Sequence, residues 1–240
     1  MQKNTVTYAG WTAVLIAVIY FINRNSIPYL VGGYDAATYG ADYFARFAPT
    51  VLLHLIPASI AALLGPFQFM SVIRDRFPRF HRTSGRVYLS AVAIAGIVSF
   101  DLSVNLIMRS PERMLDRVQS YGVSVIPGNH FYAYGTGLAF LSVAWLTTLF
   151  VAVAAIRQGR ITLHKEWMRR NYIVTLGFIF YRIGYIILFK RLHVDYYEVI
   201  NIMAWSCWSV PLLINEFIQG VGRLREPVAP AAAARSEAMG

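Results

Sequence analysis

Charged residues are scarce in this chain, and their scarcity excludes an ordinary water-soluble domain. Only 14% of the 240 residues are charged, whereas soluble domains carry about 25%. Hydrophobic residues make up 57% of the chain, and the mean hydropathy is +0.48. The net charge of +10 would favour nucleic-acid binding in a soluble protein, but the basic residues here lie between long apolar runs. That pattern is typical of membrane topology signals and lipid-headgroup contacts, so we expect membrane lipids and no nucleic acid as partners.

Cysteine and the common catalytic motifs are also nearly absent. The one cysteine, Cys207, lies in the last apolar run, so no internal disulfide can form. The sequence has no GxSxG, P-loop or GxGxxG motif, which argues against the usual hydrolase and nucleotide sites. The histidines lack the spacing of a zinc site on one helix, although facing helices of a bundle can still assemble metal ligands.

Six apolar runs predict an all-α integral membrane bundle of six transmembrane helices, since about 20 helical residues cross the hydrocarbon core. The first run is short, but no signal-peptide cleavage site follows it, so we interpret it as a helix. We expect one domain over residues 1–222 and a disordered Ala/Pro-rich cytoplasmic tail over 223–240. The runs cover residues 8–22, 48–73, 87–108, 131–156, 171–189 and 196–219.

The distribution of basic residues predicts the orientation of these helices. The N-terminus, the segments after the second and fourth runs, and the tail carry twice as many Lys and Arg as the three opposite segments. Because basic segments remain on the cytoplasmic side, we expect both termini in the cytoplasm of a multi-pass inner-membrane protein.

Two prolines interrupt the second run. Pro57 and Pro66 have no amide hydrogen, so they leave the carbonyls of Leu53 and Ala62 without their helical partners. We therefore expect kinks at both positions. Neighbouring helices or polar side chains must satisfy such carbonyls in a membrane.

Three ionisable residues lie at similar depth in three of the runs. His54, Asp101 and Arg182 are each about 9–11 Å from the end that the charge distribution places outside, and Asn105 is one turn from Asp101. Ionisable groups at membrane depth are costly and usually face the bundle interior. One interpretation is structural, with an Asp101–Arg182 ion pair and His54 donating to a carbonyl freed by proline. The other is an outward-facing pocket for a small ligand or a proton, as in a transporter.

A second polar set lies at the opposite face, where His81 and His164 each precede an apolar run. Each histidine is followed by arginine and then tyrosine, and guanidinium groups bind carboxylates and phosphates well. Either these are interfacial residues among headgroup-binding arginines, or they form one shared site with anion or propionate contacts. The candidate contacts are Arg86, Arg170, Tyr88 and Tyr172.

The same residues resemble a widespread bacterial family of membrane proteins, the domain-of-unknown-function family 2306. The likeness rests on His54 with the sequence GPFQF at 65–69, on HRxxGRxY from His81, on HxxWMxR from His164, and on Arg182. It covers residues 53–216. The resemblance implies a bacterial inner-membrane location and no defined activity.

A weaker likeness is to the six-helix diheme b-type membrane cytochromes, in which histidines on successive helices bind two haems. His54, His81, His130 and His164 occur in the matching order, and neutral imidazole is a normal axial ligand of haem. This likeness implies haem b, a redox partner and electron transfer. It leaves three hypotheses: a haem redox protein, a transporter or small-ligand-binding protein, and a non-catalytic partner of lipids or another subunit.

Overall fold

The computed structural model describes residues 2–30, 41–119 and 130–225, with side chains over 8–28, 49–108 and 132–225. Every regular element within these ranges is helical. The elements are α1 (Gln2–Asn25), α2 (Ile27–Leu30), α3 (Ala41–Phe69), α4 (Ser71–Arg76), α5 (Pro78–Gln119), α6 (His130–Arg157), α7 (Ile161–Thr175), α8 (Gly177–Tyr185), a π-helical segment (Ile186–Arg191) and α9 (Tyr196–Leu224).

Five helical stretches in the described part of the chain are long and apolar enough to cross a membrane. They are Pro49–Phe69, Pro78–Met108, Tyr132–Arg157, Ile161–Arg191 and Tyr196–Leu224. The predicted all-helical membrane architecture is therefore confirmed, whereas the sixth span is not. The helix α1 has 24 residues, but polar residues at both ends leave an apolar run of about 22 Å, shorter than a hydrocarbon core of about 30 Å. Its crossing and the cytoplasmic position of both termini stay predictions.

The two arginine-rich stretches that follow the second and fourth apolar runs are largely helical. Only Phe77 separates α4 from α5. A short turn joins α6 to α7, where Gly159 adopts a φ of +73°, a conformation that glycine reaches without steric cost. As a result, His81 and His164 lie in the first turns of α5 and α7 rather than in loops.

Two other boundaries differ from expectation. The helix α5 continues to Gln119, past the predicted apolar run that ends at residue 108. The helix α9 continues to Leu224, past the predicted apolar run that ends at residue 219. Residues 226–240, which hold most of the predicted disordered tail, lie outside the described residues.

The helix α6 lies at the centre of the bundle and packs against α5, α7 and α9. The helix α5 also packs against α3, and α1 packs against α3. The buried face of α5 is made of Tyr88, Ala91, Val92 and Ala95, whose spacing follows the helical repeat. Small residues on such a face let helices approach closely in a membrane. The outward faces carry exposed apolar side chains, as lipid-facing surfaces do.

Candidate functional site

Two histidines come together at the basic end of the bundle, defined here as the end where α3 finishes and α5 and α7 begin. His164 donates from Nδ1 to the carbonyl oxygen of Ala152 at 2.9 Å, which leaves Nε2 to bind another group. Nδ1 of His81 is buried and has no hydrogen-bond partner among the described residues. His164 is one of the groups that act electrostatically on the His81 ring. A buried polar atom without a partner is rare, so Nδ1 of His81 stands out among the side chains at this end of the bundle.

The surroundings of His81 are predominantly basic. Arg74 and Arg82 both place positive charge near the ring, and Asp75 is the acidic group that acts on it. That carboxylate is already bonded to the Arg74 guanidinium at 3.1 Å. This electrostatic balance attracts an anion and repels a metal cation.

A polar contact next to His81 joins α3 to α5. Gln68 donates from Nε2 to the hydroxyl oxygen of Ser84 at 2.8 Å, and that hydroxyl donates to the carbonyl of Phe80 at 2.7 Å. A Cβ added to Gly85 would lie 3.0 Å from Oε1 of Gln68. Glycine at this position therefore gives the glutamine side chain room beside the first turns of α5, one turn after His81.

Tyr172 connects α7 to the proline-interrupted part of α3. Its hydroxyl donates to the carbonyl oxygen of Ala62 at 3.0 Å, which is the carbonyl that Pro66 leaves without an amide partner. A Cβ on Gly65 would overlap the Tyr172 ring. The glycine thus makes room for the ring and the proline provides its acceptor. Tyr172 is committed to this contact and is not available as the predicted anion contact.

Tyr88 is fully buried in a polar network between α5, α6 and α7. Its hydroxyl donates to Oδ1 of Asn171 at 2.7 Å and lies 3.1 Å from the hydroxyl of Thr175. Nδ2 of Asn171 donates to Thr148, and the indole of Trp145 donates to Thr175, at 2.9 and 2.8 Å. Tyr88 is therefore not available as the predicted anion contact either. Sequence reasoning missed the other four residues because it started from ionisable groups, and none of these four side chains is ionisable.

Arg170 is likewise bound within the protein rather than exposed to a ligand. Its guanidinium forms a two-pronged contact with the Glu216 carboxylate, with Nε and Nη2 at 2.7 and 2.6 Å from the two oxygens. It also lies 4.8 Å from the centre of the Trp167 ring and 3.8 Å from Glu166. This cluster links α7 to α9. Of the four predicted anion contacts, only Arg86 remains exposed.

The predicted layer of His54, Asp101 and Arg182 is not assembled. His54 donates from Nδ1 to the carbonyl of Ala95 at 3.0 Å, and that carbonyl is not one freed by proline. Asp101 is exposed and accepts a bond from Asn105 on its own helix at 3.0 Å. Arg182 forms no ion pair with Asp101 or with any other carboxylate among the described residues. The helix that carries Asp101 packs mainly against α3 and α6, whereas Arg182 lies on α8.

The remaining predicted ligand, His130, is the first residue of α6, and its side chain lies outside the described residues. Within the described ranges no group of three or more His, Cys, Asp or Glu is placed to hold a metal ion. Two open cavities, of about 440 and 600 Å³, lie at the loop before α9 and along α6, and neither is lined by His81 or His164.

Comparison with known proteins places these residues in a family. The family model described as "Predicted membrane protein (DUF2306)" matches residues 51–219, about seven tenths of the chain. The chain belongs to the DUF2306 family. The DUF2306 match includes both histidines, the Gly65–Pro66 pair, Tyr172 and Arg170. No curated protein and no solved structure matches the chain, so the resemblance to b-type cytochromes stays a prediction.

Proposed function

We propose that this membrane protein binds an anionic ligand, a phosphate- or carboxylate-bearing molecule, at the histidine pair of the basic end. The observation that carries the proposal is the buried Nδ1 of His81, which lacks a partner among the described residues and interacts electrostatically with His164. In the tautomer that carries hydrogen on Nδ1, His81 can donate to an anion.

His164 supports the same ligand chemistry. Its Nδ1 must carry hydrogen because the Ala152 carbonyl can only accept, so Nε2 donates to an anion only when the ring is protonated. Binding of an anion at Nε2 of His164 should therefore be coupled to proton uptake, and affinity should rise as the pH falls. The positive field of Arg74 and Arg82 favours the anion over any metal ion.

Sulfate is a suitable probe because its charge does not change near neutral pH. The experiment measures the thermal unfolding midpoint of the full chain in detergent against sulfate concentration, since a ligand that binds the folded state raises stability. We expect a saturable increase for the wild type that becomes larger as the pH is lowered. His81→Gln and His164→Ala should each remove it. His193→Ala, which alters an exposed histidine before α9, is the matched control for the general salting effect of sulfate.

The proposal fails if all four proteins respond equally to sulfate, because the increase would then reflect solvent exclusion rather than a site. It also fails if His193→Ala loses the response while His81→Gln keeps it.

Haem b at the same two histidines is the second candidate. His164 favours it, because a backbone carbonyl holds Nδ1 and leaves Nε2 for iron, an arrangement common in metal-bound histidines. Bound haem would supply one-electron redox chemistry. The fit to this chain is partial, since Arg170, Tyr88 and Tyr172 are committed to protein contacts and only Arg86 is left for a propionate.

A Soret band that shifts on reduction, present in the wild type and lost in both His81→Ala and His164→Ala, would support haem. A colourless protein expressed with added haem would exclude it.

A further inference from the structure

The surface beside the histidine pair combines exposed aromatic and basic side chains. Phe77 is 57% exposed and Phe80 is 48% exposed, between α4 and the first turn of α5. Arg76, Arg79 and Arg82 are exposed around them. Asp75 is the one acidic residue between 71 and 82, and it is paired with Arg74. We refer to residues 71–82 as the basic segment.

The basic segment must lie at the membrane boundary. The apolar stretch before it ends at Phe69 and the next begins at Pro78. The connection is therefore too short for α4 to extend away from the boundary. At that depth aromatic rings enter the acyl region while arginines reach the phosphates. A site for a soluble anion has no need of exposed phenylalanines on its rim.

The basic segment is also continuous with the candidate anion site. Arg74 and Arg82 belong to the segment and act on the His81 ring, which is itself in the segment. A molecule that holds its negative group at the histidines would therefore place an attached apolar chain against Phe77.

We propose that the ligand of the histidine pair is the phosphate of an anionic phospholipid from the surrounding leaflet. This rests on the proposed function and specifies its ligand. The arginines neutralise the headgroup, the histidines hold its phosphate by hydrogen bonds, and the exposed phenylalanines contact the acyl chains.

The test compares lipid retention with sulfate binding in the same proteins. The full chain in detergent is incubated with equal amounts of phosphatidylglycerol and phosphatidylcholine, and retained lipid is measured by native mass spectrometry. We expect wild type to retain phosphatidylglycerol at least several-fold over phosphatidylcholine. Phe77→Ser should retain several-fold less phosphatidylglycerol, because the ring contacts the acyl chains, but should keep the sulfate response. His81→Gln should lose both the phosphatidylglycerol retention and the sulfate response. Leu224→Ser, which alters an exposed apolar residue at the C-terminal end of α9, should lose neither.

Each outcome bears on one proposal or on both. Equal retention of the two lipids by wild type, or unchanged retention in Phe77→Ser, overturns the lipid assignment. If sulfate still binds in that case, the anion site stands and its ligand is soluble. If sulfate does not bind, and Phe77→Ser abolishes a phosphatidylglycerol retention that His81→Gln preserves, the surface binds lipid without the histidines, and both proposals as stated are wrong.

Discussion

The hydroxyl of Tyr172 satisfies the Ala62 carbonyl that Pro66 leaves without an amide, at 3.0 Å and in a buried position. Three parts of the chain that are far apart in sequence thus depend on one another. The proline creates an acceptor within the bundle, the glycine before it admits an aromatic ring, and a residue more than one hundred positions later supplies the donor. Trp11 and Phe69 stack at 4.8 Å beside the same ring, so α1 also contacts this cluster.

Removing the Tyr172 hydroxyl should destabilise the protein, because the Ala62 carbonyl is then buried without a donor. We expect Tyr172→Phe to lower the free energy of unfolding by about 1–2 kcal/mol. Unfolding in a detergent–dodecyl sulfate titration measures this change. Tyr20→Phe, on an exposed tyrosine of α1, is the control and should have no effect.

Pro66 provides a second test of the same contact. In Pro66→Ala the new amide can donate to the Ala62 carbonyl, so the loss of the tyrosine hydroxyl should matter less. We expect the cost of Tyr172→Phe to fall by about half or more in the Pro66→Ala background, measured as a double-mutant cycle. Additive effects of the two changes would show that the hydroxyl does not satisfy this carbonyl.

Gly65 should tolerate no side chain. Gly65→Ala places a methyl group in the space that the Tyr172 ring occupies, so the ring or the helix must move. We expect a loss of about 1–3 kcal/mol, the usual cost of overpacking, seen as a lower thermal unfolding midpoint. Gly10→Ala in α1 is a matched control, because nothing lies within 4 Å of its Cβ and alanine favours the helix. A Gly65→Ala protein as stable as Gly10→Ala would contradict the close approach of Gly65 to the Tyr172 ring.

The ion pair between Arg170 and Glu216 should contribute to the attachment of α9. Two-pronged guanidinium–carboxylate contacts are favourable, but Glu216 is 46% exposed, so solvent screens the pair. We expect a coupling energy of about 0.5–1 kcal/mol from the cycle of Arg170→Gln and Glu216→Gln. Arg170→Lys should lose most of this coupling, because a lysine cannot make the two-pronged contact. A coupling that Arg170→Lys retains in full would indicate simple charge attraction.

The number of crossings can be determined by locating the two ends of the chain. Five crossings would place the termini on opposite sides, and six would place them on the same side. We predict that α1 also crosses, with both termini in the cytoplasm, because the basic residues are concentrated on one side. A periplasm-dependent reporter should therefore be inactive both before residue 2 and after Leu224. Activity at one end alone would establish five crossings.

Sequence patterns located the helices because apolar runs of sufficient length have few alternatives in a membrane. The same patterns predicted that His81 and His164 would lie at one end of the bundle, and both are found in the first turns of their helices. They could not predict the direction in which a side chain points from its helix, and therefore which residue it contacts. Depth along a helix follows from residue counting, but the direction of a side chain depends on packing, and so Asp101 and Arg182 share a depth without meeting. Tyr88 and Tyr172 were expected to face a ligand for the same reason, whereas both are buried in contacts within the protein.

The hydrogen bonds between α6 and α7 have a consequence for how the chain enters the membrane. Trp145 and Thr148 lie on α6, and the groups that bond to them, Thr175 and Asn171, belong to the next helix. When α6 is synthesised first, its indole N–H has no acceptor in the lipid until 30 further residues have followed. A polar group in hydrocarbon is costly, so this delay favours the entry of α6 and α7 together as a hairpin closed at Gly159. The polar side chains of α6 would then form their hydrogen bonds with α7 as the two helices enter the membrane.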